Sequence, residues 1–213
     1  MSYLEENTSA PGAVKYALAE ARELAERIAE ILRPGCEKLD IAGSIRREKA
    51  EVKDIEIVCL PRRVEMYNLF GELTGLDFAN EFDEAIFNFE TAFDYKYIKS
   101  GNKYKQVALT MENGKTINLD LFIAENHNYG YILALRTGDW EFSKALVTSR
   151  ILGGLKPDDI TLSDGAIYRG KTQLICCSEY SFFGNWGLAN FARDIPYPRL
   201  RNADLVKRLR GGR

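Results

Sequence analysis

The stretch Ile41–Val58 reads IAGSIRREKAEVKDIEIV, and its two ends differ in character. Lys38–Ala42 before it and Asp54–Leu60 at its close are rich in Ile and Val and read as strands, joined by a polar connection that opens with Gly43-Ser44-Ile45-Arg46-Arg47. Residues two apart on a strand project from the same face, so Asp54 and Glu56 point the same way. Such a pair alone describes the wet face of many strands. Its flanks alter the reading, because Ile55, Ile57 and Val58 are apolar, and Asp120 lies in a second apolar stretch, Ile117–Ile123, broken only by Asn118. Carboxylates on largely buried strands require charge compensation, and divalent cations supply it. Three that converge suit two magnesium ions about 3.5 to 4 Å apart, the arrangement that serves phosphoryl transfer.

Gly43-Ser44 at a strand end offers backbone amides and a hydroxyl to phosphate oxygens, and Arg46 and Arg47 add guanidinium groups. A glycine-serine pair by itself is an ordinary turn. The compound pattern carries more: Gly-Ser-x-Arg-Arg, then Asp54 eleven residues from Gly43 and Glu56 thirteen.

Outward from this stretch, Gly12–Arg33 repeats small or apolar side chains at helical spacing and stops at Pro34-Gly35, which predicts an amphipathic helix. Met66–Phe93 scatters phenylalanines among acidic residues without a clear period and is read as helix and loop. Tyr95–Lys99, Tyr104–Met111 and Thr116–Ile123 read as strands, the last two joined by Glu112-Asn113-Gly114-Lys115, whose Asn-Gly pair is a hairpin signal. Tyr129–Gly153 turns helical with an interruption at Thr137-Gly138, and Ile160–Ile175 returns to short strands around Asp164-Gly165. The class is α+β: a sheet with flanking helices over residues 1–136, then a smaller α/β unit over 137–213.

Composition narrows the chemistry. The 213 residues contain one histidine, His127, and four cysteines, Cys36, Cys59, Cys176 and Cys177, without CxxC spacing. A Cys/His zinc site and a Ser-His-Asp scheme both lack their parts, and reduced, packed thiols are expected. No apolar run approaches the roughly 20 residues of a membrane span, and Met1–Pro11 is polar and acidic, so no membrane partner is expected and the cytosol is the expected compartment. Net charge is −2, yet Phe191–Arg213 carries seven Lys and Arg against two Asp, a local +5 that leaves −7 elsewhere. That tail, with Arg199, Arg201, Lys207 and Arg208, suits a phosphate backbone, or is a solvated terminus.

The motif IAGSIRREKAEVKDIEIV resembles the palm motif of family X DNA polymerases, the polymerase beta relatives, which read GSxRR, a short spacer and an acidic-x-acidic strand. Antitoxin-type members of the wider nucleotidyltransferase superfamily follow the glycine-serine with alanine-arginine-glycine and a longer spacer. Residues 117–147, INLDLFIAENHNYGYILALRTGDWEFSKALV, resemble the family's third carboxylate strand and its hinge between two helices, and residues 178–201, SEYSFFGNWGLANFARDIPYPRLR, resemble the closing signature of bacterial members. The similarity covers about Gly12 to Asn202.

The resemblance implies a nucleotidyltransferase palm over residues 1–136 and a thumb-like subdomain over 137–213. It implies that Asp54, Glu56 and Asp120 hold two Mg2+ ions, with Mn2+ as a substitute. Gly43, Ser44 and Arg47 would hold the β and γ phosphates of a nucleoside triphosphate, Arg136, Thr137 and Gly138 would form the hinge beside the nucleotide, and Trp140 would stack on its base or sit in the core. The implied reaction is transfer of a nucleotide to the 3′ hydroxyl of a DNA primer-template or gapped DNA, in repair or gap filling. Glu56 stands where aspartate is usual, which alters metal geometry; Ser143 for asparagine and Val147 for arginine leave fidelity outside what the resemblance implies; and Leu135-Arg136 replaces the aromatic pair that packs against the sugar, so weak sugar selectivity is expected. The family's lyase activity is expected to be absent, and a monomer, of the trimmed kind that viruses or phages encode, is expected. Rival readings are nucleotide transfer to RNA, protein or a small molecule, and a catalytically silent nucleic-acid-binding module on a degenerate palm.

Overall fold

The computed structural model describes residues 14–111, 113–188 and 198–211, with the side chains of Leu76, Phe78 and Arg199 left out. The first helix starts later than its periodicity suggests. Tyr16–Ala17 (β1) forms a two-residue strand antiparallel to Glu51–Val52 (β3), and only then does α1 run, over Leu18–Leu32. The helix has no side-chain N-cap; the neighbouring chain supplies a partner instead, Leu18 N–H donating to the Ala50 carbonyl at 3.1 Å. Gly12 and Ala13 lie outside the described residues. Pro34 closes α1 through a single 3-10 turn, Arg33–Gly35.

Five strands form the central sheet: Cys36–Ile41 (β2), Asp54–Pro61 (β4), Asp94–Ser100 (β7), Tyr104–Thr110 (β8) and Thr116–Ile123 (β9), in spatial order β2-β4-β9-β8-β7. Only the β4–β9 pair is parallel, so the sheet is mixed, and it is flanked by helices as expected for an α+β chain. Alternation along the two central strands assigns their faces. Ile55, Ile57 and Cys59 of β4, with Leu119 and Leu121 of β9, enter a core shared with α1 and with Asn80–Ala92 (α3). Val58 and Leu60 of β4 and Phe122 of β9 enter a second core, with Tyr129–Thr137 (α4) and Trp140–Val147 (α5). Asp54, Glu56 and Asp120 belong to that second face. They lie where its apolar lining gives way to charge.

The connection after Ala42 is not an open loop: Gly43–Arg46 (α2) makes one helical turn against β4. Where Met66–Phe93 reads as helix and loop, the first part is a β-hairpin of Arg63–Tyr67 (β5) and Leu73–Phe78 (β6), followed by α3. The hairpin turns on Asn68, whose side-chain oxygen accepts from the N–H groups of Phe70 and Glu72, and on Gly71 at φ +78°. Val64, Met66, Tyr67, Leu69, Phe70 and Leu73 are all exposed, so no buried face imposes the period-two alternation that marks a strand.

Beyond α5, Ile160–Ser163 (β10), Ala166–Arg169 (β11) and Thr172–Leu174 (β12) form an antiparallel meander that turns at Asp164-Gly165 with both residues at positive φ. Glu179–Asn185 (α6) begins at a capping box on Ser178, and Ala203–Gly211 (α7) buries Leu205, Val206 and Leu209 in the second core. Trp186 is fully buried there and donates from Nε1 to the Leu146 carbonyl at 2.9 Å. All four cysteines are free, three of them buried. Among the described residues no helix is long and apolar enough to cross a membrane.

Candidate active site

In the parallel β4–β9 pair Asp54 lies opposite Asn118 and Glu56 opposite Asp120. Register partners share a face, so the three carboxylates project from one side of the sheet centre. Asp120 is 1% exposed, and Asp54 and Glu56 are partly buried. Burial pushes the Glu56 carboxyl up to about 8, and the charges of Asp54 and Asp120 push the same way against Arg136 and Arg47. Asp54 is raised too, first by burial and then by Asp120, with Arg47 and Lys53 opposing. Burial and neighbouring carboxylates thus outweigh the nearby arginines at Asp54 and Glu56 and penalise their charged forms until a cation compensates. Oxygen donors with an excess of negative charge are what hard divalent cations select, so this donor set fits Mg2+. No three His, Cys, Asp or Glu side chains among the described residues are already gathered about one point as a metal site. Asp120 is turned instead to its other strand neighbour, accepting at Oδ1 from the Tyr104 hydroxyl at 2.5 Å and from Gln106 Nε2 at 3.0 Å. Burial first, and then that bond, raises the Tyr104 phenol, which stays a donor.

The Gly43-Ser44 turn abuts the carboxylates. Gly43 sits at φ +62°, and a Cβ built on it would fall 2.0 Å from Glu56 Oε2. Ser44 Oγ and Arg47 Nε are buried with no hydrogen-bond partner among the described residues. A buried hydroxyl with nothing to bond is costly in a folded chain, and a phosphate oxygen would satisfy it. Arg47 Nη1 donates at 2.8 Å to the carbonyls of both Thr137 and Gly138, tying α2 to the end of α4. Burial lowers its pKa, against the charges of Glu56, Asp139 and Asp54.

Arg46 serves the scaffold. Nη1 donates to Thr137 Oγ1 at 2.7 Å, and its two terminal nitrogens form a fork with Glu179 at 3.0 and 2.9 Å. The same carboxylate receives a second fork from Arg201, whose side chain is 1% exposed. Of the tail residues read as phosphate contacts, Arg201 is therefore turned inward, Lys207 and Arg208 are exposed on α7, and the side chain of Arg199 lies outside the described residues.

At the hinge Thr137 is fully buried, and Asp139 caps α5 by accepting from Phe142 N–H at 2.8 Å. Arg136 lays its guanidinium 4.0 Å from the centroid of the Phe122 ring. Trp140 is 47% exposed rather than part of the core, with Lys144 Nζ 5.5 Å from its ring. Leu135 is buried, and Ser143 Oγ donates to its carbonyl at 2.6 Å. The structure thus brings Asp54, Glu56, Asp120, Gly43, Ser44, Arg47, Arg136, Thr137 and Gly138 into one neighbourhood. Tyr104, Gln106 and Glu179 join it without having been singled out in the sequence. In comparisons with known proteins, the chain matches no protein-family model and no curated protein.

Proposed function

We propose that the chain is a nucleotidyltransferase that adds a nucleotide from a nucleoside triphosphate to the 3′ hydroxyl of a DNA strand, as a reduced family X-type polymerase acting in gap filling or repair. The observation that carries this reading is the placement of Asp54, Glu56 and Asp120 on one sheet face directly against the Gly43-Ser44 turn. Two Mg2+ ions held by these carboxylates, or Mn2+ in their place, would neutralise developing charge and polarise the acceptor hydroxyl.

The protein groups divide the remaining work. Ser44 Oγ, the α2 amides and Arg47 bind and orient the triphosphate, and Arg47, already fixed to the Thr137 and Gly138 carbonyls, meets it without losing further rotamer freedom. Asp120 orients the 3′ hydroxyl and takes up its proton as the 3′ oxygen attacks the α-phosphorus in line. The bond to the bridging oxygen breaks and pyrophosphate leaves. Trp140, exposed at the start of α5, offers a stacking surface to the base.

Primer extension on gapped and on nicked DNA with Mg2+, run beside Asp54→Asn, tests the reading. Template-ordered lengthening by the wild type alone is expected. Nucleotide transfer only to RNA, protein or a small molecule would assign the same chemistry to another acceptor, and binding of DNA with no transfer under any condition would leave a silent binding module.

A further inference from the structure

The two oxygens of Asp120 have different surroundings. Oδ1 accepts both the Tyr104 hydroxyl and the Gln106 amide, whereas Oδ2 accepts no hydrogen bond among the described residues. The donors come from one strand face: β8 pairs with β9 in a register that sets Gln106 opposite Asp120 and Tyr104 opposite Phe122. Tyr104 is held in turn by its ring, stacked on Phe122 with centroids 5.1 Å apart and planes at 21°. Phe122 also carries the Arg136 guanidinium. A carboxylate on a strand otherwise has a broad, roughly two-fold torsion at its end, so either oxygen turns outward with similar ease.

We propose that Tyr104 and Gln106 are positioning residues that pin Oδ1 of Asp120, so that Oδ2 alone is presented to the cation and to the acceptor hydroxyl. The inference rests on the nucleotidyl-transfer reading of the site. Both donors sit on the sheet, whose backbone is fixed by paired strands on either side, and neither touches the substrate in this scheme. They act through Asp120. Their removal therefore loosens metal and proton-acceptor geometry while leaving the triphosphate cradle, on α2, as it was.

Tyr104→Phe deletes only the hydroxyl and keeps the ring stack; Gln106→Met keeps the volume and loses the amide. The test uses the full chain and Mn2+ as the probe, counted by the electron paramagnetic resonance of the free ion, alongside steady-state kinetics. Outer-layer partners of metal ligands are typically worth about 10- to 100-fold in affinity or activity. Each variant is accordingly expected to weaken Mn2+ binding and lower kcat by about that factor, with KM for the nucleoside triphosphate within about twofold of wild type. In an Asp120→Asn background Tyr104→Phe should change Mn2+ affinity no further. The inference fails alone if wild type binds Mn2+ and transfers nucleotide while both variants match it, or if Tyr104→Phe weakens Mn2+ binding equally in the Asp120→Asn background. A wild-type protein that neither binds Mn2+ nor transfers nucleotide overturns the transferase reading, and this inference with it.

Discussion

Gly43 and Glu56 are in such close approach that the smallest side chain cannot be inserted between them: a Cβ on Gly43 would lie 2.0 Å from Oε2 and 2.9 Å from Cδ of Glu56. The backbone at Gly43 is left-handed as well, at φ +62°. Gly43→Ala therefore meets two obstacles at once, one conformational and one steric. Left-handed backbone costs a non-glycine residue about 1–2 kcal/mol, which urea denaturation should register. Glu56 must also swing away from its place, so turnover at saturating Mg2+ is expected to fall far more than stability does.

Glu56 gives the site a pH dependence with a definite sign. Its folded-state pKa, about 8, lies above the ordinary 4.5, so between these values the folded chain holds a proton that the unfolded chain has released. Stability contributed by this group is complete below pH 4.5 and is lost as pH rises toward 8. Each pKa unit corresponds to about 1.4 kcal/mol, so Glu56→Gln is expected to stabilise the metal-free protein above pH 8 by an amount on the order of a few kcal/mol. The same variant should abolish transfer. Mg2+ should raise the wild-type Tm, by about 2.7 kcal/mol of added stability at a hundredfold excess over its Kd, and should leave the Tm of Glu56→Gln nearly unmoved. Thermal melts across pH 5–9 with and without Mg2+ check both statements.

Glu179 shows the opposite sign. Burial by itself would raise its pKa, but the hydrogen bonds and charges of Arg201 and Arg46 outweigh that and hold it below the ordinary carboxylate range. Its contribution is present above about pH 4.5 and is lost as pH falls through the depressed folded value. Removing the carboxylate takes a forked hydrogen-bond partner from Arg46 and from Arg201, the second with its side chain only 1% exposed. Breaking a buried pair in this way typically costs about 3–5 kcal/mol. Glu179→Ala should show that loss in urea at pH 7, and wild type should lose part of the same increment at pH 3–4.

Leu135 and Ser143 bear on sugar choice. Where the family resemblance places an aromatic beside the ribose, this chain has a leucine buried against α5, its carbonyl accepting from Ser143 Oγ. No aromatic ring at that position excludes a 2′ hydroxyl. Parallel single-nucleotide insertion of dNTP and rNTP is expected to give kcat/KM values within about tenfold of one another, the scale of discrimination a pocket achieves through a single apolar contact. A preference for dNTP of several hundredfold or more would disprove it.

The sheet and its carboxylate pair were legible because β4 and β9 are apolar on both faces and interrupted, Asn118 apart, only by acids. Alternation alone put Asp54 and Glu56 together. The partners of Asp120 were not legible, and the reason is a register of one residue. A two-residue Asn113-Gly114 loop would pair Glu112 with Lys115 and set Val107 opposite Asp120. The ladder instead pairs Thr110 with Thr116, with Met111 N–H donating to the Lys115 carbonyl, and this brings Gln106 and Tyr104 to the face that carries the carboxylates. The β5–β6 hairpin escaped for a different reason: both its faces meet solvent, and a strand without a buried side has no pattern to show. Arg201 illustrates a third limit, since a lone arginine in a basic run gives no sign that a carboxylate 22 residues earlier will draw it inside.

One acidic side chain, Glu179, fastens both Arg46 beside the Gly43-Ser44 turn and Arg201 just ahead of α7. The segment that leads into α7 is thereby a structural member of the half that bears the three carboxylates. On the proposed transferase reading, clipping ahead of Arg201 should loosen Glu179 and, through Arg46, the turn at Gly43-Ser44, and register as a raised KM for the nucleoside triphosphate.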